Sequence, residues 1–197
     1  MPAKNRVGRP QRTKSTLSKA AIHKAALALM DEEGEQAVTF RALAQKMSVT
    51  AMAVKYHVGS RRQMLENLVT EVFAEVGRAP MGDSASKRIR NLLRSYCETA
   101  IEHAGLVQCV LKDPSLMSEE LKRLTENLRR ETQALNAGDM HDIMLKLIVD
   151  YTHGFVFAAA NAPKEMGLSV EDFLCSLDWL LDKVNDAGAA GGFTPRR

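Results

Sequence analysis

Apolar side chains recur along most of this chain at the spacing of an amphipathic α-helix. Four stretches place apolar residues at i, i+3, i+4 and i+7, namely 22–30, 89–101, 121–128 and 170–184. This spacing puts the apolar side chains on one face of a helix. No stretch shows a sustained alternation of apolar and polar residues followed by the turn residues of a β-hairpin. The pattern therefore predicts an all-α protein with about nine helices.

Residues that typically begin or end helices divide the chain into four parts. Gly34 and Gly105 are predicted to end helices, Ser60 and Ser169 to begin them, and the Gly- and Pro-containing segment 77–82 to be a linker. We predict a flexible basic arm, an N-terminal three-helix domain, a larger C-terminal helical bundle and a flexible tail. Their predicted bounds are 1–16, 17–77, 83–187 and 188–197.

The net charge of +3 over 197 residues hides an uneven distribution. Residues 1–66 carry 12 basic and 5 acidic side chains, a net charge of +7, whereas residues 67–197 carry 15 basic and 19 acidic ones, a net charge of −4. The first 30 residues contain no acidic side chain. Such an asymmetry indicates a nucleic acid or an anionic membrane surface as the partner of one end.

Other sequence features narrow the class of protein. Cys97, Cys109 and Cys175 have neither disulfide nor zinc spacing and are expected to be buried, reduced thiols. The N-terminus lacks the apolar core of a signal peptide, and the longest apolar run, 155–160, is far shorter than the ~20 residues of a membrane span. No catalytic motif is present. We expect a cytoplasmic protein that is not an enzyme and needs no membrane, metal or cofactor.

Residues 39–58, TFRALAQKMSVTAMAVKYHV, predict two short helices joined by a tight turn. Thr39 and Thr50 are placed to cap them. The side chains expected to face inward are Leu43, Ala44, Met47, Val54 and Val58. The second helix, 51–58, is short and polar, which suits insertion into a DNA major groove about 12 Å wide.

This stretch resembles the helix-turn-helix of the tetracycline-repressor (TetR) family of transcription regulators, with the motif G-x-x-x-x-T-x-R-x-L-A-x-x-x-G-V-S-x-x-x-L-Y-x-H-F-x-x-K-x-x-L. The matching positions, within 17–76, are Gly34, Thr39, Arg41, Leu43, Ala44, Val49, Thr50, His57, Val58, Arg61 and Met64. Three departures occur. Ser48 replaces the turn glycine, which costs about 1 kcal/mol if its φ is positive. Val54-Lys55 replaces Leu-Tyr, and Arg61 replaces a lysine.

The side chains of the motif suggest two kinds of DNA contact. The candidates for phosphate contacts are Arg41, Lys55, Tyr56, His57 and Arg61, and those for base edges are Thr50, Ala51 and Met52. Alternatively, Met52 packs internally and His57 is a core histidine. In the arm, Arg6 and Arg9 belong to an Arg-Gly-Arg-Pro sequence that resembles an AT-hook core for the minor groove, although a basic tail can also bind DNA non-specifically.

The resemblance implies a C-terminal domain that binds an inducer and dimerises. Helices about 140–162 and 169–186 carry more than one apolar face, including Cys175 and Trp179, and are expected to form a four-helix seam with a second copy; the alternative is a thicker monomer core. Candidate pocket residues are Tyr96, His103, Cys109, Met117, His141, His153, Phe155 and Trp179. The acidic residues around His141 could suggest a metal but are better explained as a helix start.

Together these features predict a transcription regulator. We expect a homodimeric repressor that a small-molecule effector releases from a near-palindromic double-stranded DNA operator. The alternative is a constitutive or architectural helix-turn-helix protein that has no small-molecule effector.

Overall fold

The computed structural model describes residues 17–76, 78, 80–163 and 167–189, with side chains as far as residue 186. Over these ranges the secondary structure is entirely helical, which confirms the predicted all-α class. The nine α-helices are α1 (Lys19–Glu33), α2 (Phe40–Lys46), α3 (Ala51–Val58), α4 (Arg61–Val72), α5 (Ala85–Glu102), α6 (Ala104–Lys112), α7 (Glu119–Leu135), α8 (Ile143–Asn161) and α9 (Val170–Ala189). Two 3₁₀ turns, Glu35–Ala37 and Pro114–Leu116, precede α2 and α7.

Hydroxyl side chains fix the starts of the N-terminal helices. Thr39 and Thr50 each accept a hydrogen bond from the backbone N–H three residues later, and Ser60 forms a capping box with Gln63 at the start of α4. Each such cap satisfies N–H groups that have no partner within the helix, and removing one costs about 1 kcal/mol. Helix α1 ends at Gly34 as predicted, and this glycine adopts a positive φ of 84°.

The expectation that Gly105 ends a helix is wrong. Helix α5 ends at Glu102, and Gly105 lies in the first turn of α6. A Cβ atom on Gly105 would come within 2.8 Å of Cγ of Met30, a buried residue of α1. Glycine is therefore needed there because α6 packs closely on α1, and its conformational freedom is not the reason.

The helices form two groups that share one hydrophobic core. Helices α1–α4 pack around buried side chains such as Ile22, Leu43 and Leu68. In the second group, which we call the C-terminal bundle (α5–α9), α5 packs against α7, α8 and α9. The two groups meet where the ring of Phe73 stacks on that of Tyr96, with centroids 5.9 Å apart. The predicted basic arm, with Arg6 and Arg9, and the predicted tail beyond residue 189 lie outside the described residues.

Candidate nucleic-acid interface and ligand cavity

The turn between α2 and α3 closes through backbone hydrogen bonds. The Ser48 N–H donates to the Gln45 carbonyl at 3.2 Å, and the Val49 N–H donates to the Ala44 carbonyl at 3.0 Å. Ser48 has a φ of 55°. This is the left-handed region, which costs a residue with a Cβ about 1 kcal/mol or more. The serine thus occupies the position at which the family motif has glycine, in the backbone conformation that favours glycine.

Helix α3 is buried on one side and exposed on the other. Val54 and Val58 are buried against the core, whereas Met52 is 74% exposed and Tyr56 87% exposed. His57 is also exposed, and its ring meets that of Tyr56 edge-on with centroids 5.6 Å apart. The alternatives that Met52 packs internally and that His57 is a core histidine are therefore wrong.

The remaining candidate DNA-contacting residues of this region are also accessible. Arg41, Thr50, Ala51 and Lys55 are exposed. The Thr50 hydroxyl accepts the capping hydrogen bond from the Ala53 N–H at 3.1 Å, so its hydrogen is left to donate elsewhere. No acidic residue occurs between Glu35 and Glu66, a segment with five basic side chains. Helices α2 and α3 therefore carry no carboxylate of their own, although Lys46 at the end of α2 pairs with Glu32 of α1 at 3.2 Å. The exposed face of α3 thus presents positive and hydrogen-bonding groups.

Arg61 is bonded to the 3₁₀ turn that follows α1. Its Nε donates to the Val38 carbonyl at 3.3 Å, and its Nη2 donates to the carbonyl and the Oε1 atom of Glu35 at 3.2 and 3.1 Å. The hydrogen bond from Arg61 is the largest cause that holds the pKa of Glu35 below its usual range. The Arg61 side chain therefore anchors the start of α4 to this turn.

A cavity of about 240 Å³ opens inside the C-terminal bundle. Its walls are mostly aliphatic and aromatic, and they come from α4's C-terminal end and from α5 to α8. The lining residues are Phe73, Leu93, Tyr96, Val107, Val110, Leu111, Met117, Leu121, Leu124, Thr125, Val149, Thr152 and His153.

Three of the eight candidate pocket residues line this cavity. They are Tyr96, Met117 and His153, and the Tyr96 hydroxyl lies 2.9 Å from Nε2 of His153. Burial raises the pKa of the Tyr96 phenol well above its usual range. Burial also lowers the pKa of His153, against the opposing effect of the Asp150 carboxylate. Both side chains are therefore neutral near pH 7.

The other five candidates lie elsewhere. His103 contacts Asp31 of α1, with Nδ1 and Oδ2 3.1 Å apart. Cys109 is buried outside the cavity lining, and burial raises its pKa to about 11. Phe155 packs on Phe173 with centroids 5.4 Å apart. His141 and Trp179 are exposed, Trp179 by 64%.

Contacts that the sequence did not predict join the end of α6 to the N-terminal helices. Arg62 of α4 donates to Oδ2 of Asp113 at 2.9 Å and to the Ser115 hydroxyl at 2.6 Å. Lys112 donates to Oε2 of Glu35 at 3.2 Å. We call these the junction contacts. Charged residues far apart in sequence give no signal of their pairing, so the sequence could not have revealed them.

Apolar side chains remain exposed along α8 and α9. Leu147 and Tyr151 lie on one exposed face of α8, and Trp179 lies on α9. Cys175, next to Trp179 on the α9 surface, is exposed and not buried as expected. By length and composition α8 would also fit a membrane span, a test that core helices of soluble proteins pass as well. Other side chains of α8, including Ile148 and Val156, are buried in the bundle.

The acidic residues near the start of α8 have structural partners. The Asp139 carboxylate accepts hydrogen bonds from the Ile143 and Met144 N–H groups at 2.9 and 2.8 Å, and Asp142 pairs with Arg129 at 3.0 Å. Within the described ranges, no group of three or more His, Cys, Asp and Glu side chains could hold a metal ion.

Comparison with known proteins gives related sequences and a shared fold. No protein-family profile matches the sequence. The chain is 26% identical over 120 residues to the class D tetracycline repressor protein of Escherichia coli, a match that covers 56% of this chain and 55% of that protein. The chain thus spans about half the length of the curated relative it matches.

Solved structures extend the likeness to most of the chain. The structure of BioQ with its double-stranded DNA operator has a TM-score of 0.65 at 20% identity and covers 87% of this chain and 99% of BioQ. The TetR family protein ActR of Streptomyces coelicolor, in complex with (S)-DNPA, has a TM-score of 0.56 at 21% identity and covers 86% of this chain and 98% of ActR. Together, the sequence match and the shared fold confirm that this chain resembles the TetR family.

Proposed function

We propose that this protein is a sequence-specific DNA-binding transcription regulator in which α3 enters the major groove. The exposed face of α3 is the observation that carries this proposal. It presents Met52, Lys55, Tyr56 and His57 to solvent on a helix that the buried Val54 holds in place. A helix fits the major groove, and a surface free of carboxylates avoids repulsion from DNA phosphates.

The side chains of this surface divide into two proposed roles. Arg41, Lys55, Tyr56 and His57 donate to phosphate oxygens, which orients the protein without reading sequence. Thr50, Ala51 and Met52 contact base edges, and the apolar side chains of Ala51 and Met52 face thymine methyl groups. In the arm, Arg6 and Arg9 add a minor-groove contact.

Arg61 has a different proposed role because its guanidinium is already engaged by Glu35 and Val38. We propose that Arg61 positions α4, the helix that directly follows α3. The N–H groups of its first turn lie at the N-terminus of α4. Such a helix terminus favours a phosphate. Arg61 therefore supports phosphate binding through its backbone and through the placement of α4, as well as by its positive charge.

The exposed apolar face of α8 and α9 supports a homodimer. Leu147, Tyr151 and Trp179 are large, apolar and accessible in the single chain, and an isologous contact would cover this face on both copies at once. The α3 helices of the two copies, which we call the recognition helices, would then bind half-sites about 34–36 Å apart on a near-palindromic operator. Residues 83–187 form the dimerisation and ligand-binding domain in this proposal, and residues 17–77 the DNA-binding domain.

The cavity supports a repressor that a small-molecule effector releases from DNA. BioQ has been solved with its operator and ActR with a small molecule, which shows that this fold accommodates both kinds of ligand. Helix α6 lines the cavity with Val107 and Val110, and the junction contacts at its end reach α4. An effector that displaces α6 would move α4 and separate the recognition helices. By linkage, DNA and effector then weaken each other's binding by the same factor. We place this non-enzymatic protein in the cytoplasm.

Selection of DNA from a random pool, followed by fluorescence anisotropy over a range of salt concentrations, tests the proposal. We expect an enriched near-palindrome whose affinity falls steeply with salt. Lys55→Ala should weaken binding to selected and random DNA alike and reduce the salt slope by about one. Lys122→Ala, which removes an exposed lysine of α7, is the control and should change neither. Salt-independent binding, or no enriched sequence, would contradict the proposal.

Analytical ultracentrifugation tests the dimer. Leu147→Glu places a charge on the exposed apolar face of α8 and should shift the protein from dimer to monomer. Met140→Glu, at a 90% exposed position just before α8, should leave the dimer intact. A monomeric wild-type protein would contradict the proposed homodimer, and a Leu147→Glu dimer as stable as that of the wild type would show that the dimer interface lies elsewhere.

A further inference from the structure

The cavity offers a ligand few hydrogen-bonding side-chain groups. The hydroxyl of Thr125 donates to the Leu121 carbonyl at 3.0 Å, and that of Thr152 donates to the Ile148 carbonyl at 2.7 Å. Both threonine hydrogens are thus used within their own helices. Among the lining residues, the side-chain hydrogen-bond donors that remain for a ligand are therefore the Tyr96 hydroxyl and the His153 ring. A ligand therefore meets one pair of donor side chains in a mainly apolar wall.

The Tyr96–His153 pair can serve a ligand oxygen in either tautomer of the histidine. If the tyrosine donates to Nε2, its oxygen can still accept a hydrogen bond. If Nε2 carries the hydrogen and donates to the tyrosine, the phenolic hydrogen can be donated to the ligand. The 2.9 Å distance between Tyr96 Oη and His153 Nε2 is compatible with both. Hence the pair fits a hydroxyl or a carbonyl oxygen.

The cavity wall carries no lysine, arginine, aspartate or glutamate. The titratable groups that line it are Tyr96 and His153, with Asp150 acting on His153 from outside the lining. A charged ligand would lose its hydration and find no opposite charge, which is costly in an apolar site. Burial also keeps His153 neutral near pH 7, so the histidine offers no cation to a carboxylate.

The volume limits the size of the ligand. At about 240 Å³ the cavity exceeds the ~150 Å³ that accommodates benzene. It is smaller than the ~300–1,000 Å³ typical of pockets for drug-sized molecules. Leu111 lines the cavity and is also partly exposed at the surface, which places the mouth beside it on α6.

From these observations we propose that the effector is a neutral, mainly apolar compound of about 8 to 15 non-hydrogen atoms, with one oxygen that hydrogen-bonds to Tyr96. Tyr96 and His153 are then the residues that determine ligand specificity, and the aliphatic walls supply most of the affinity. This inference rests on the proposed function, because it names the class of the effector that would act on DNA binding.

Three probes of one ring system test the inference by isothermal titration calorimetry on the full chain at pH 7.5. They are naphthalene, 2-naphthol and naphthalene-2-carboxylate. We expect 2-naphthol to bind more tightly than naphthalene, and the carboxylate to bind at least ten-fold more weakly than 2-naphthol. Val149→Trp, which fills the cavity, should abolish binding of 2-naphthol.

A matched pair of variants isolates the hydrogen bond. Tyr96→Phe should weaken 2-naphthol binding about three- to ten-fold, the usual loss for one hydrogen bond, and leave naphthalene unchanged. Thr70→Val removes an exposed side-chain hydroxyl from α4 outside the cavity lining and should affect neither probe. Circular dichroism confirms that each variant is folded. If Val149→Trp does not fold, the comparison of Tyr96→Phe with Thr70→Val still tests the hydrogen bond.

Several outcomes would overturn the inference. These are carboxylate binding as tight as that of 2-naphthol, no measurable binding of either neutral probe, or an equal loss of naphthalene and 2-naphthol affinity in Tyr96→Phe. Binding to the selected operator is measured separately by anisotropy. If operator binding is selective while the probes fail, the ligand class is wrong and the DNA-binding function stands. If operator binding is not selective, the proposed function itself fails, whatever the probes do.

Discussion

Replacing Gly105 by alanine should destabilise the protein although alanine is the better helix former. The new methyl group would lie 2.8 Å from Cγ of Met30, well inside the ~3.5–4.0 Å of a favourable carbon–carbon contact. Met30 is 1% exposed and cannot move into solvent. Overpacking of this kind costs about 1–3 kcal/mol, and the gain of alanine over glycine in a helix is about 0.5–1 kcal/mol. We therefore expect the free energy of unfolding to fall by about 1 kcal/mol, and by no more than about 2.5 kcal/mol.

Urea unfolding followed by circular dichroism at 222 nm measures this change, as a lower midpoint at an unchanged slope. Gly138→Ala is the control, because its nearest contact would be Oδ1 of Asn136 at an ordinary 3.6 Å. That variant should be equal to the wild type or gain up to about 1 kcal/mol from the stiffer unfolded chain. A Gly105→Ala protein as stable as the wild type would show that α6 can move away from α1 at no cost. The close packing would then not fix the position of α6.

Three further predictions concern α3, the turn before it and the cavity. Met52→Gln should change which bases the protein prefers in a selection from random DNA; an unchanged preference would remove Met52 from the base contacts. Ser48→Gly should raise the free energy of unfolding by up to about 1 kcal/mol because φ is 55° at this position; Ser48→Ala keeps the strain and should show no such gain. Burial lowers the pKa of His153, so below pH about 6.5 the unfolded chain binds the proton more readily than the folded one. Stability should then fall as the pH drops through this range, and this component should be missing in His153→Gln. A difference in stability between wild type and His153→Gln that does not vary with pH would refute the assignment.

The helix-turn-helix was predictable because its determinants are local. Thr39, Thr50 and Ser60 each cap a helix that begins at the next residue, and hydroxyl caps act within three positions along the chain. Whether φ at Ser48 is positive was left open by the sequence, and the structure gives it a φ of 55° at the position where the family motif has glycine. Because each of these helix caps depends on residues within three positions, the sequence alone is enough to predict it. The structure therefore agrees with the prediction in this region.

The cavity and the contacts of α6 were less predictable because they depend on pairs that are distant in sequence. Helical spacing identifies the inward face of a helix, but it does not tell which inward residues border a cavity and which fill the core. Tyr96 and His153 line the cavity, whereas Phe155, on the same helix as His153, packs on Phe173. Gly105 was misread for the same reason. A glycine is a common helix stop, and only its approach to Met30 shows that it serves packing instead.

Helix α6 has the position that the proposed connection between the cavity and DNA binding requires. It is nine residues, hence about 13 Å, long, and its two ends are held by different parts of the N-terminal helices. Gly105 packs on α1 at the start, while Lys112 and Asp113 reach Glu35 and Arg62 at the end. Because its middle lines the cavity, a ligand cannot displace this short, stiff element without disturbing contacts of α1 or α4. The proposed coupling of effector and DNA binding therefore needs no further chain of contacts through the core, and the residues at the two ends of α6 are enough to transmit it.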